Sequence, residues 1–420
     1  MNENINHRNI ADIITTAMFL FIIFAFTVLF FALPDAAFSD EENRSLQQFP
    51  EFSLETLTSG KFTENIGEYY ADQFPFRNVF VGAKTAVSYA FLINQNKGAV
   101  IAKDGYVIQR YDLYDDTESN FDLDLTFNEN MQYIKSNCLY INAFKENLAE
   151  IGNIGLTFSA VPRKIDIMTN KLPVFFPSDR NQIYYDILEE NINHEIYHDL
   201  KSELLSKNDE YIYYRTDHHW TTLGAYYAYH SLMGKLGISK RPPFYQEIYP
   251  IDKEHFLVEK VSDDFYGTTW SRAGVKWIKP DEIYYFRGEN KTDAEIFITE
   301  IHGWRTIEGF YDFELLQTKD KYASFIGGIN ARTSVYLKPD EIYYPNGRGK
   351  LLLITDSFGQ SIAPFFAWHY DLEIIDLRFF NGNIYDLIID LHINYVLILQ
   401  GMESLSTQGN LVKLLTKSER

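Results

Sequence analysis

Short apolar strands alternate with helical segments over the last seventy residues, and no other feature restricts the fold as much. Leu351-Leu352-Leu353-Ile354 reads as a strand, Ser357 onward as a helix, 372–377 as a strand, 384–391 as a helix and 395–399 as a last strand. A strand apolar at successive positions is buried on both faces. The intervening helices supply the long crossovers that parallel pairing needs. The same grammar begins earlier, with a buried strand at 154–162, helical segments over roughly 180–206, a short strand Tyr211-Ile212-Tyr213-Tyr214 and a helix at 222–236. This predicts an α/β fold: a three-layer α/β/α domain with a mostly parallel sheet.

The amino terminus obeys a different rule. Residues 13–33 form an apolar run interrupted only by Thr15, Thr16 and Thr27, long enough to cross a bilayer. A cleaved signal peptide has a shorter apolar stretch and a small-residue cleavage site; Leu33-Pro34-Asp35 offers none, so the expectation is one uncleaved transmembrane helix. Arg8 precedes it and Asp35, Asp40, Glu41 and Glu42 follow, which puts 1–12 in the cytoplasm and the body outside, a single-pass cell-membrane protein. Residues 34–60 read as a juxtamembrane linker and 61–420 as the extracytoplasmic domain, with a strand-rich insertion at about 240–345. Inside that domain, helical spacing over 61–91 is broken by Phe74-Pro75-Phe76-Arg77. A hairpin is centred on Asp104-Gly105, and 128–151 is an amphipathic helix. The net charge of −20, with no basic cluster, excludes nucleic acid as a partner. One cysteine, Cys138, excludes an intrachain disulfide and a cysteine-rich zinc site.

Two constellations follow predicted strands, where open α/β sheets place their sites. They are Arg215-Thr216-Asp217-His218-His219-Trp220 and Thr355-Asp356-Ser357-Phe358-Gly359. A serine at a strand-to-helix turn presents its hydroxyl at the sheet rim, and its N–H favours a developing oxyanion. Serine needs a neighbouring base, and an aspartate can hold a histidine in the required tautomer. Taken singly, Asp356-Ser357 reads first as a helix cap, and either histidine as an ordinary loop or core residue; it is the pair of motifs at equivalent rim positions that points to a site. Arg378 and Arg163 also follow strands, and each is a charge-stabilising candidate or half of an ion pair. A rival motif, His194-Glu195-Ile196-Tyr197-His198, matches the H-E-x-x-H pattern of zinc peptidases. Its extended form fails, because Lys201 and Leu204 stand where glycine and histidine belong.

Tyr213-Tyr214-Arg215-Thr216-Asp217-His218-His219-Trp220-Thr221 resembles the signature of the DHHW family, itself similar to SGNH-hydrolase-like proteins that O-acetylate alginate and other exopolysaccharides. Supporting elements are Ser39-Asp40-Glu41-Glu42-Asn43-Arg44, Asp72-Gln73-Phe74-Pro75-Phe76-Arg77 and Lys103-Asp104-Gly105-Tyr106. Further along come Asp264-Phe265-Tyr266-Gly267-Thr268, Asp356-Ser357-Phe358 and Asp376-Leu377-Arg378-Phe379-Phe380. The resemblance implies an SGNH-like domain with Ser357 as nucleophile, His219 as base and Asp217 as its orienting acid, His218 being the variable position. Substrate or oxyanion contacts would come from the Ser357 backbone, Trp220, Arg378 and the Gly327-Gly328-Ile329-Asn330 loop, through Gly328 or Asn330. It further implies acetyl or another acyl group from a donor, a polysaccharide acceptor and a multi-span membrane acyltransferase as partner. Neither metal nor cofactor is expected. A carbohydrate-binding component of an export complex that performs no catalysis is the remaining class.

Overall fold

A computed structural model describes residues 3–42, 44–110, 123–174, 176, 182–236, 249–288, 294–300, 303–337 and 349–417. They fall into two compact units, Met1–Ile93 with Gly274–Lys276, and Asn94–Ala273 with Trp277–Arg420. Parts of the strand-rich stretch at 240–345, namely 240–248, 289–293, 301–302 and 338–345, lie outside the described residues, as do Asn43 and positions 180–181.

In the first unit a helix runs over Glu3–Ala32, and its apolar part, Ile10–Ala32, has 23 residues and no buried share. At about 1.5 Å per residue this spans about 35 Å, enough to cross a membrane. The 34–60 segment holds the antiparallel pair Phe38–Ser39 and Arg44–Ser45, then a helix Leu54–Thr58 capped by Ser53. Helices Lys61–Asp72 and Arg77–Ala90 separate where Pro75 interrupts the spacing, with Phe76 in the left-handed region at φ 60°. Two stretches that look unrelated in sequence meet here. Arg44 donates to Asp72 at 2.8 and 2.5 Å and to Glu42 at 2.8 Å, and Arg77 also pairs with Glu42.

In the second unit seven described strands form one sheet: β1 (Gly155–Val161), β2 (Ala294–Glu300), β3 (Gly303–Glu308), β4 (Arg332–Leu337), β5 (Gly349–Thr355), β6 (Tyr370–Ile375) and β7 (Tyr395–Gly401). Their order is β3-β2-β4-β6-β5-β7-β1. Pairs β1–β7, β7–β5 and β5–β6 are parallel, whereas β6–β4, β4–β2 and β2–β3 are antiparallel. The sheet is therefore mixed, which corrects the mostly parallel expectation. Two residues separate β2 from β3, and a parallel crossover needs a dozen or more. Much of the strand-rich stretch thus widens the main sheet, while Phe256–Phe265 and Asp281–Gly288 pair as a separate ribbon.

The alternation of side chains along β5 accounts for the layering. Leu351 and Leu353 enter one apolar cluster, together with the ribbon, while Leu352 and Ile354 enter the other. The second cluster is covered by helices α1 (Leu123–Ile151) and α2 (Gln182–Asn191). The first is covered by α3 (Thr222–Leu236) and α4 (Gly359–Ala367). Helix α5 (Ile384–Asp390) and α6 (Met402–Thr407) complete the second face. The hairpin at Asp104-Gly105 forms as expected, with Ala99–Ile101 against Val107–Gln109.

Two local expectations fail. Tyr211-Ile212-Tyr213-Tyr214 is not a sheet strand: only a bridge from Tyr213 to Trp220 forms, closed by Tyr214 N–H to His219 O at 3.1 Å. His194-Glu195-Ile196-Tyr197-His198 is a turn rather than a helix. Its backbone is held by the outer edge of β1, Phe158 N–H donating to Ile196 O at 2.8 Å and His198 N–H to Phe158 O at 2.9 Å. An exposed strand edge offers unpaired donors and acceptors, and this segment takes them in place of helical bonds.

Candidate functional site

Ser357 lies in the turn between the end of β5 at Thr355 and the start of α4 at Gly359. Asp356 shapes that turn. Its carboxylate accepts from Phe358 N–H at 3.1 Å, from Gly401 N–H at 2.8 Å and from Ser404 Oγ at 2.7 Å, tying it to the end of β7 and to α6. The helix-cap reading does not hold: the N-cap is Phe358 and makes no side-chain cap bond, so Asp356 serves the turn ahead of the helix, and Ser357 is left half-buried with its hydroxyl free to face elsewhere. Among the described residues no hydrogen bond is made by the Ser357 N–H.

The loop closed by Tyr213 and Trp220 faces it. His219 Nε2 lies 2.7 Å from Ser357 Oγ, and His219 Nδ1 lies 2.6 Å from Asp217 Oδ1. The same oxygen accepts the His219 N–H at 3.0 Å, and Oδ2 accepts from Thr268 N at 2.9 Å and Thr268 Oγ1 at 3.1 Å. Burial opposes ionisation of Asp217, but the imidazoles of His218 and His219 and these hydrogen bonds hold its carboxyl well below the usual range. Tyr322 stacks on His219 at 4.1 Å between centroids, and Phe358 meets it edge-on at 5.0 Å. The imidazole is therefore clamped by rings as well as by hydrogen bonds.

His218 takes a different place. Its Nδ1 is 3.2 Å from Thr268 Oγ1 and 3.4 Å from Asp217 Oδ1. Burial, then the neighbouring His219, pushes His218 below its ordinary value. Trp220 is fully buried and donates Nε1 to Ser361 Oγ at 2.8 Å, which also contacts Tyr322 OH at 2.8 Å. Trp220 thus fastens the aspartate–histidine loop to the helix that follows Ser357.

The remaining candidates are committed elsewhere. Gly328 N–H donates to Phe325 O at 3.1 Å, and Asn330 Nδ2 donates to Gly327 O at 3.2 Å and Gly328 O at 3.1 Å, so both are engaged within their own turn. Arg378 closes on Asp376 through Nε at 2.9 Å and a terminal nitrogen at 2.5 Å. Arg163 pairs with Asp166 at 2.9 Å in a buried site that also receives Tyr185 OH. His194 and His198 do not converge on a metal: Glu195 is exposed and pairs with Lys145, and His198 Nε2 contacts Ser231 Oγ at 2.8 Å. Among the described residues, metal-type clusters occur at Asp217-His218-His219 and at Asp252-Glu254-His255, neither of which includes those histidines.

Sequence reasoning missed the supports of the loop. Lys164 is buried and its ammonium donates to the carbonyls of Val107, Tyr214, Arg215 and Asp217 at 2.5, 3.0, 3.3 and 2.6 Å. Burial pulls its pKa down to about 8 against the nearby Asp281 and Asp217, so the carbonyl cage must replace the water it has lost. Asp281, wholly buried, accepts from Arg215 N–H at 2.9 Å, Thr216 N–H at 2.7 Å, Thr216 Oγ1 at 2.5 Å and Tyr211 OH. Gly267 lets a second segment approach, because a Cβ there would lie 2.2 Å from Asp217 Cβ. A signal existed for the last of these in the Asp264-Phe265-Tyr266-Gly267-Thr268 element; Lys164 and Asp281 had none.

Chemically, the arrangement can pass a proton from Ser357 Oγ to His219 Nε2 while Asp217 fixes the other nitrogen. Comparison with known proteins gives four findings. A family model described as DHHW protein matches residues 152–374, just over half of the chain and inclusive of both motifs. A crystal structure of a DHHW family protein from Eubacterium siraeum is similar in fold, with 22% identity, 77% of this chain and 98% of that one covered, and a TM-score of 0.55. Bacillus cereus PatB1, solved with a sulfonyl adduct, is similar at 18% identity, with 69% and 94% covered and a TM-score of 0.53. No curated protein matches the sequence.

Proposed function

The chain belongs to the DHHW family, and on that footing we propose a serine-dependent acyltransferase or esterase of SGNH type, anchored in a membrane with its main domain extracytoplasmic. The observation that carries this reading is the continuous relay from Ser357 Oγ through His219 to Asp217, at 2.7 and 2.6 Å. His219 Nε2 accepts the Ser357 proton as Oγ attacks the carbonyl carbon of an acyl donor. The tetrahedral oxyanion forms beside the Ser357 N–H. His219 then returns the proton to the leaving group, and the acyl group rests on Ser357. A sugar hydroxyl, or water, repeats the sequence in reverse, giving up its proton to His219 as it takes the acyl group.

The DHHW resemblance favours acetyl as the acyl group and a cell-surface or secreted polysaccharide as acceptor, with a multi-span acyltransferase delivering the donor. The sulfonyl adduct carried by PatB1 suggests the reagent for the test. An arylsulfonyl fluoride should add one sulfonyl group to this chain, mapped by peptide mass to Ser357, and abolish hydrolysis of an aryl acetate. Ser357→Ala should lose both. Unchanged hydrolysis by Ser357→Ala would overturn the acyl-serine reading and favour a carbohydrate-binding component without catalysis. The peptidase alternative lacks the helix that H-E-x-x-H chemistry requires.

A further inference from the structure

Helix Arg77–Ala90 is amphipathic in the unusual sense that its open side is its apolar side. Val79, Phe80, Ala83, Val87 and Ala90 recur at helical spacing and are all exposed, Val79 by 66% and Val87 by 57%, while Gly82 and Thr85 on the opposite side are buried. The face continues past the helix end into Phe91 and Leu92, 76% and 83% exposed, the latter held out by a left-handed turn at φ 64°. A patch of this kind on a folded chain marks a surface with an occupant.

We propose that this helix lies flat in the outer interface of the same bilayer that the Ile10–Ala32 helix crosses, its apolar face among the acyl chains, an inference that rests on the anchor reading. The ring contacts commit the face to lipid. Phe26 of the apolar helix stacks on Phe74 at 5.4 Å between centroids and meets Phe80 at 5.8 Å. Phe26 lies six residues before the helix end at Ala32, about 9 Å along the axis at 1.5 Å per residue. Interfacial helices bury their apolar faces about 5–10 Å into the headgroup and acyl boundary. Phe80 therefore sits at the depth such a helix occupies, and the exposed face is continuous with the membrane-crossing surface. Phe30 adds contacts to Tyr69 and Tyr70 at 5.8 and 5.2 Å, aromatic residues of the sort found at membrane–water boundaries. Two lipid contacts would hold this unit in a set orientation where a lone helix would leave it to swivel.

The test uses the full chain reconstituted into phosphatidylcholine–phosphatidylglycerol vesicles. Nitroxide labels are placed singly at Val87→Cys, Leu92→Cys, Phe24→Cys in the apolar helix and Asp263→Cys on the exposed ribbon. Cys138 is buried and its thiol is pushed up to about 12 by that burial, so it stays unlabelled. The expected result is an oxygen-to-nickel-chelate accessibility ratio severalfold higher at Val87 and Leu92 than at Asp263, on the same side as Phe24. If Val87 and Leu92 match Asp263 while Phe24 remains lipid-protected, the proposal fails and the anchor stands. If Phe24 also matches Asp263, the anchor itself fails. Shielding of Val87 and Leu92 from both relaxants would assign the face to a protein, a second copy included, and overturn the lipid reading.

Discussion

Replacing Asp217 with asparagine tests the relay most sharply, because the carboxylate receives four donors with nearly fixed positions. Oδ1 accepts from His219 Nδ1 and His219 N, and Oδ2 accepts from Thr268 N and Thr268 Oγ1. An amide has one accepting oxygen, so one pair of these donors must face an NH2 group. If the oxygen stays on His219, the NH2 opposes the Thr268 N–H and a buried hydrogen bond is lost, worth about 1–3 kcal/mol. If the NH2 turns to His219, the imidazole must carry its proton on Nε2, where it cannot receive one from Ser357. Either orientation also removes the charge that supports the imidazolium. With charge centres about 4 Å apart at an effective dielectric near 20, that support is about 4 kcal/mol, or about 10³-fold in rate. Asp217→Asn should therefore lower kcat for aryl-acetate hydrolysis by about 10²–10⁴-fold with little change in KM. Asp356→Asn is the matched control: equally buried, it touches the serine turn without touching His219. The reasoning fails if Asp217→Asn keeps kcat within a few-fold of wild type, or if the control loses as much while remaining folded. The stability effect has a definite sign. Because the folded carboxyl sits below its ordinary value, its contribution is complete above about pH 3.9 and is lost as pH falls through the folded value. The gap in denaturation free energy between wild type and Asp217→Asn should be full at pH 7 and shrink only under strong acid.

Gly267→Ala should cost both stability and activity through Asp217, since its Cβ would stand 2.2 Å from that residue's Cβ and 2.7 Å from its Cα and displace it from His219; a lowered thermal midpoint and a lowered kcat for the folded protein would show it, and unchanged kcat would refute it. Asp281→Asn should destabilise the fold by about 3 kcal/mol or more, as a buried acceptor of several donors is removed; urea titration measures this. His218→Ala should be far milder than His219→Ala, because only His219 reaches Ser357 Oγ; the reverse order in ester hydrolysis would displace the assignment. His194→Ala and chelators should leave hydrolysis unchanged, and one zinc per chain lost with His194 by elemental analysis would contradict the turn observed there.

Local pattern alone determined a good deal. The apolar run near the amino terminus formed a helix, Pro75 broke the helical spacing, Asp104-Gly105 turned the hairpin and the Leu351–Ile354 stretch was buried on both faces, because each depends on neighbouring residues alone: an unbroken apolar length, a missing N–H, a turn-forming pair and successive apolar side chains. The two motifs that meet at Ser357 and His219 were also legible, since a serine after a strand and an Asp-x-His loop are compact local signals. Tertiary structure decided what depends on partners distant in sequence. Strands 294–300 and 303–308 turned antiparallel because their connection is too short to cross over, and the His194–His198 segment gave up its helix to the free edge of β1. Lys164 was invisible because its role is set by four carbonyls, those of Val107 and of Tyr214, Arg215 and Asp217, which only folding brings together. Asp281 likewise became an anchor only when the ribbon delivered it beneath Arg215 and Thr216. A sequence states which groups must leave water, and competition among the whole chain's backbone donors and acceptors settles which partners receive them.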